Sequence, residues 1–361
     1  MKRLRLVLLL LLLLLLAAGG FAFWTYRELR VPRAHTHAAE YVEIPRGSSP
    51  SEIVAKLTSL GVLERGWPLL VYMKLTGTGS KLKAGEYRFQ TPISPLEVLH
   101  KLQEGEERMR RFTVIEGWTR WDIAEALARV PELKLQNSAE ALALMDDAGA
   151  VRDLDPRAEN LEGYLYPDTY TFPLDTTAEQ MVALMVKRFR QEWKPEWTAR
   201  AAELKMTPRQ IVTIASLIET EAKLQSDRPL IASVIYNRLD KQMALGVDSS
   251  IIYASKLAGK WKNDGKVYKS DLERNTPYNT RLHAGLPPGP IASPSASSLQ
   301  AALFPATTDY LYYVREPSRN DGAHNFYNNE RDFTRGVEAL RQWERDRDAA
   351  KSQANQNANA P

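Results

Sequence analysis

At 361 residues, with 44% hydrophobic and 25% charged residues, the chain is long enough for two or three domains with real cores, and its composition is that of a folded protein. A net charge of +4 is too dilute over this length to indicate nucleic acid as a partner. There is no cysteine, which excludes disulfides and thiolate metal sites.

Leu6 to Trp24 is a leucine-dominated run without a charge, just long enough to span a bilayer, and Lys2, Arg3 and Arg5 precede it. Ala17-Ala18-Gly19-Gly20 offers a cleavage site, but the run exceeds a usual signal-peptide core, which favours an uncleaved anchor. Arg27, Arg30 and Arg33 nearly balance the N-terminal cations, so charge alone does not set orientation. With no second span, the rest of the chain is expected on one side of the membrane. Residues 31–40 read as a juxtamembrane linker; His35 and His37, without further ligands, suit a solvated linker better than a metal site.

Residues 41–130 contain a loose internal repeat. Val42–Leu57 and Phe112–Leu127 align on Gly47 and Gly117, and each reads as a short strand, a glycine turn and a capped helix. A third helix start, Ser94-Pro95-Leu96-Glu97, follows the strand-like Gly85–Phe89. This is a small α+β module without clustered titratable residues, fit for binding or for spacing. Residues 131–206 look helical, interrupted at Asn160–Phe172, where dense aromatics flank Pro167 and Asp168. Aromatic walls suit sugar rings, although aromatics are more often core.

Thr207–Lys223, TPRQIVTIASLIETEAK, is the stretch that carries chemistry. Thr207, Pro208 and Gln210 spell a helix start with a capping box. Ile211, Ile214, Ala215, Leu217, Ile218 and Ala222 then make one broad apolar face. At about 100° per residue, Glu219 and Glu221 point roughly 200° apart and cannot serve one site. Glu221 falls inside the apolar arc and Glu219 at its more polar edge. A carboxylate on an apolar face is costly to ionise, so its pKa should rise, which suits a general acid. The plainer alternative is a helix-end glutamate reaching solvent.

A helix over roughly Arg228–Lys241 follows, capped by Ser226 or Asp227. Its Asn237 points inward, toward either a bound N-acetyl group or an internal hydrogen bond. Asp248 is placed to cap a helix beginning at Ser249. Thr276–Pro294 is irregular by composition. Leu311–Arg315 and Gly322–Phe326 suit a hairpin, and a helix to about Ala350 and a polar, disordered tail complete the chain. The expected architecture is α+β: a transmembrane helix in 1–30, a linker in 31–40, the module in 41–130, a mostly helical domain with irregular loops in 131–346, and the tail in 347–361.

No phosphate-binding loop, nucleophile elbow or H-E-x-x-H motif is present, and five scattered histidines leave little for a metal. Carboxylate chemistry among amides and aromatics remains, the toolkit of sugar cleavage without a cofactor.

Taken together, KAGEYRF, LEGYLYPDTY, IASLIETEA, ASVIYNRL, YNT, AGLPPGPIASP and a late G-x-H-x-F resemble, in order, the YceG-like family of endolytic murein transglycosylases. The resemblance implies an inner-membrane anchor, a periplasmic LysM-like region matching the strand–turn–helix repeats, and a catalytic domain that cuts nascent peptidoglycan glycan strands. It makes Glu221, the second glutamate of an E-x-E pair, the catalytic acid/base. It makes Asn237, Tyr278 and Asn279, and less directly Asp248 and His324, candidates for sugar contacts, and peptidoglycan synthases candidate protein partners. The chain departs from the family pattern at Gly246, where a glutamine is expected, at Asp248-Ser249-Ser250 in place of D-P-T, at Arg281 in place of tyrosine, and at Phe333 in place of histidine. Two other functions fit the same residues: a muramidase in which Asp248 activates water opposite Glu221, and a non-catalytic glycan-binding scaffold.

Overall fold

The structure, a computed structural model, describes residues 2–45, 47–105, 109–319 and 321–358, with side chains described outside 2–10, 18 and 352–358. The chain divides into two compact units, Met1–Arg110 with Phe172–Leu174, and Arg111–Thr171 with Asp175–Pro361.

The first unit holds α1 (Lys2–Arg30), β1 (Val42–Ile44), α2 (Pro50–Ser59), α3 (Trp67–Thr76), β2 (Gly85–Tyr87) and α4 (Pro95–Glu104). β1 and β2 pair antiparallel, with Val42 opposite Tyr87 and Ile44 opposite Gly85. Helices α2 and α4 begin where the sequence predicts. Ser49 and Ser94 accept from the amides of Glu52 and Glu97, whose carboxylates accept from the cap N–H groups at 2.7 Å. Gly47 supplies the left-handed turn between β1 and α2 with φ of 83°. Leu57, Leu69, Tyr87, Phe89 and Val98 are fully buried, and Leu29 from the end of α1 joins this core. The expected linker is not free. Arg33 exchanges backbone hydrogen bonds with Ile93 at 2.9 and 3.0 Å, and His35 Nε2 lies 3.0 Å from the Gln90 carbonyl. Backbone pairing therefore makes residues 31–40 part of the unit rather than a tether.

In chain order there follow β3 (Met109–Thr113), α5 (Arg120–Ala128), α6 (Ser138–Leu144), β4 (Thr169–Pro173), α7 (Ala178–Glu192), α8 (Pro195–Glu203), α9 (Pro208–Glu221), α10 (Arg228–Asp240), α11 (Asp248–Leu257), α12 (Lys269–Leu272), α13 (Ala296–Leu303), β5 (Tyr312–Arg315), β6 (His324–Tyr327) and α14 (Glu330–Ala358). The repeat beginning at Phe112 lies in the second unit, so the division falls after Arg110 and not near residue 130. The reason is packing: α5 has the predicted capping box, Thr119 with Asp122, but buries Ile123, Ala124 and Leu127, and it packs on α6. Tyr164, Tyr166 and Tyr170 of the aromatic stretch are core. Tyr164 donates to Asp155 at 2.7 Å and Tyr170 to the Tyr166 carbonyl at 2.6 Å. β5 and β6 form the expected antiparallel hairpin, Tyr313 opposite Phe326. Helix α14 continues past Ala350 to Ala358, because Lys351–Ala358 contains neither Gly nor Pro to stop it. The last three residues of the expected tail lie outside the described residues.

Helix α9 is the axis of this unit, packed against α8, α10, α11 and α13. The sequence predicts one buried face; the structure buries every residue from Ile211 to Ile218. Two polar side chains on the supposed outer face are satisfied internally. Thr213 donates to the Arg209 carbonyl at 2.8 Å; Ser216 donates to the Thr213 carbonyl at 2.7 Å and accepts from Ile291 N at 3.1 Å. Four fully buried aliphatics, Ile211, Ile214, Leu217 and Ile218, each contribute roughly 1.5–3 kcal/mol, so the helix end is held rigidly.

Candidate active site

Glu221 is the last residue of α9, and Ala222 closes the helix with its N–H on the Ile218 carbonyl at 2.9 Å. Part of the residue reaches solvent, while its carboxyl group is enclosed. Burial pushes that carboxyl up to about 7 from an ordinary 4.5, and the nearby negative charge of Asp248 adds to the rise. Hydrogen bonds from Tyr313 and Ser249 and the cation of Arg281 act in the other direction. The tyrosine donates to Glu221 Oε2 at 3.1 Å, and Ser249 Oγ makes a longer 3.5 Å approach to Oε1. Tyr313 is itself pushed well above its usual range by burial, so at neutral pH it keeps its proton and can donate it to the carboxyl. One carboxyl oxygen is thus fixed by a phenol, and the other is left more loosely held and able to carry a proton.

A half-buried amide–guanidinium clamp positions Tyr313. Asn237 Nδ2 donates to the carbonyls of Thr308 and Tyr310 at 2.9 and 2.8 Å, just before β5. Arg238 donates to Leu311 O and Leu245 O, both at 2.6 Å. The ASVIYNRL motif therefore ties the strand carrying Tyr313 to the loop ahead of α11. Of the two possibilities for the inward amide of Asn237, the internal hydrogen bond is the one present. On the other side of Tyr313, His324 meets its ring edge-on, 5.5 Å between centroids. His324 is oriented by Asp227, whose carboxylate accepts from the His324 backbone N–H at 2.9 Å and lies 3.0 Å from its ring Nδ1. Asp227 thus faces His324 instead of capping α10 with its side chain.

Asp248 opens α11 and forms an exposed pair with Arg281, 2.6 Å apart. Asn279 is fully buried: Nδ2 donates to Leu272 O and Arg274 O at 2.9 and 3.0 Å, and Oδ1 accepts from Arg281 N at 3.1 Å. It shapes the loop that aims Arg281. Tyr278 belongs to a second cluster, its ring 5.0 Å from Tyr253 and its hydroxyl pushed up to about 12 by burial. At the centre of that cluster is Glu162, whose carboxyl burial raises to about 7 and which accepts from Arg120 N at 3.2 Å. The structure therefore gathers Asp248, and His324 through Tyr313, around Glu221, and holds Asn237, Asn279 and Tyr278 on other partners.

Glu219 is not at a polar edge. Its side chain is 4% exposed, lies 2.9 Å from Arg228 Nη2, and accepts from Ser295 N at 2.8 Å. It locks the end of α9 to the starts of α10 and α13, while Glu221 faces the opposite way, as the helical spacing predicts. Sequence reasoning missed Tyr313, Arg238 and Glu162. Glu162 and Arg238 lie within LEGYLYPDTY and ASVIYNRL, so for them a signal was present; Tyr313 lies in the expected hairpin strand, where nothing local marks a phenol as a carboxyl partner.

A profile of the YceG-like family matches residues 42–339. A protein of Bacillus subtilis named endolytic murein transglycosylase is 36% identical over 289 residues, covering 76% of this chain and 78% of its own. One of the same name from Streptococcus pneumoniae serotype 2 is 30% identical over 346 residues, covering 89% of this chain and 62% of its own length. A crystal structure of a YceG-like protein from Listeria monocytogenes superposes with a TM-score of 0.55 at 33% identity, covering 82% of this chain and 98% of that one. The family match spans Glu221, Tyr313 and their clamp, and with the two relatives it shows that the chain belongs to the YceG-like family.

Proposed function

We propose that this chain is a membrane-anchored endolytic transglycosylase of peptidoglycan, cutting the MurNAc–GlcNAc β-1,4 bond within glycan strands. The observation that carries the reading is the enclosed Glu221 carboxyl, raised to about 7 and fixed by Tyr313. The curated relatives bear the name of this activity.

One carboxyl group is enough. Neutral Glu221 gives its proton to the bridging oxygen as the C1–O bond breaks, and the GlcNAc leaves as an alcohol. The resulting carboxylate takes the proton of the C6 hydroxyl of the same MurNAc while that oxygen bonds to C1. The product is a 1,6-anhydro end, no water is consumed, and Glu221 is neutral again. An intramolecular nucleophile needs no second carboxylate to activate it. The muramidase alternative would use Asp248 as its base; that carboxylate is already paired with Arg281, which disfavours it.

In this reading α1 is the anchor, since it is long and apolar enough to cross a bilayer, and the remainder works in the periplasm beside the inner membrane. The β1–α2–α3–β2 segment would be the LysM-like region, positioning a strand. Asn237 and Asn279 act as positioning residues, and sugar contacts fall to groups around Glu221. Digestion of purified glycan strands by the soluble part, residues 31–361, is the test. Wild type should give ends one water lighter than hydrolysis products, and Glu221→Gln should bind strands without cutting them. Hydrated ends, or an active Glu221→Gln, would overturn the proposal.

A further inference from the structure

Among the described residues, the face of the first unit that α3 and the last turns of α1 share has no cover within that unit. Helix α3, WPLLVYMKLT, is apolar nearly all round, as a helix buried on every side would be. Pro68, Leu69 and Met73 do face the core. Trp67, Val71 and Leu75, spaced i, i+4, i+8, form a stripe exposed by 39, 42 and 82%. An 82%-exposed leucine at the end of such a stripe is a poor choice for a surface in water.

The stripe is continuous with the end of the expected membrane span. Trp67 stacks on Phe21 and on Trp24 of α1, each at 5.7 Å between ring centroids. Whatever depth Phe21 and Trp24 occupy, Trp67 shares it. Between the two helices runs a groove of about 370 Å³ lined by Phe21, Tyr26, Leu29, Val71, Leu75 and Leu96. Cations flank the apolar surface: Arg65 lies over the Trp24 ring at 5.7 Å, Arg30 over Tyr26 at 4.5 Å, and Lys74 stands in the last turn of α3. Tryptophan and tyrosine at the end of an apolar helix, with arginine beside them, form the belt that sits at lipid headgroup level.

We propose that α3 is an interfacial helix: its Trp67–Val71–Leu75 stripe and the groove beside α1 lie in the headgroup and upper acyl layer of the membrane α1 crosses, with Arg30, Arg65 and Lys74 on anionic headgroups. The occupant is lipid and not a second copy, because the stripe continues a surface that lipid already covers and carries a cationic rim. The first unit is thereby held down at the bilayer instead of swinging on its anchor. The inference rests on reading α1 as a bilayer span.

The absence of cysteine allows a direct test in the full chain. Single-cysteine variants Leu14→Cys in α1, Leu75→Cys in α3 and Ser51→Cys in α2 carry a nitroxide label. The protein is reconstituted in phosphatidylglycerol–phosphatidylethanolamine vesicles, and collisions with oxygen and with a water-soluble nickel chelate are compared by electron paramagnetic resonance. Leu14 should be deeply oxygen-accessible, Ser51 aqueous, and Leu75 should show an oxygen-to-nickel ratio several-fold above Ser51. An aqueous Leu75 beside a lipid-exposed Leu14 would overturn the proposal and leave the anchor intact. A Leu75 shielded from both reagents, pointing to a second copy or another protein, would also overturn it. A Leu14 outside lipid would overturn anchor and proposal together.

Discussion

The position of one proton decides the chemistry at Glu221. The group must be neutral to protonate the bridge, so cleavage should decline as pH rises through about 7. The neighbours make this limb adjustable in two directions. Tyr313 donates to the carboxylate and favours its charged form, so Tyr313→Phe should move the alkaline limb of kcat/KM upward. It should also lower the maximum about tenfold, because Oε2 loses the bond that orients the group. Asp248→Asn removes a repelling charge and releases Arg281, both of which favour the carboxylate, so here the limb should move down. A pH–rate profile of the two variants checks this; shifts of the same sign would mean that these contacts do not control the proton.

At the level of elements, the E-x-E pair divides its labour between two sides of α9. Glu219 is a buried clamp, and deleting it leaves Arg228, which is 7% exposed, with only Ser295 Oγ at 2.8 Å and the more distant Glu116 at 3.8 Å. Breaking a buried pair by removing one partner typically costs about 3–5 kcal/mol. Urea unfolding of Glu219→Ala should show a loss of that order, and Glu219→Gln, which still accepts from Ser295, a smaller one; equal, small losses would contradict the clamp. This pair also marks how far sequence reasoning reaches. Spacing correctly sends the two glutamates to opposite sides, and the Thr207, Ser49, Ser94 and Thr119 caps are legible because a capping box involves residues only three apart. Spacing does not say what waits on each side. Ser295 comes from 76 residues downstream and Tyr313 from 92, and such partners are set by tertiary packing. For the same reason the inward amide of Asn237 reads equally well as a ligand contact or an internal brace until its acceptors are seen, and Asn279, expected at sugar, turns out to brace its own loop.

At the scale of the whole molecule, two enclosed carboxyl groups among the described residues, Glu162 and Glu221, stand at about 7 instead of 4.5, both because burial disfavours their charge. Their folded pKa exceeds the unfolded one, so between about 4.5 and 7 the folded state binds more protons, and stability must fall as pH rises through that window. Each shift corresponds to roughly 3 kcal/mol lost by pH 8 relative to acid. Carboxylates lowered by their partners, such as Asp122 and Asp271, have the opposite sign and act at more acid pH, so they do not mask the effect. Thermal or urea unfolding of the unit bearing α9, followed from pH 5 to 8, should show this decline in wild type. It should be about halved in Glu162→Gln or Glu221→Gln, and nearly flat in the double variant. An unchanged slope in the double variant would show that these groups are not held neutral by the fold. Glu221→Gln should at the same time abolish cleavage while raising stability at pH 8, since the energy spent keeping that acid protonated is what the proposed reaction uses.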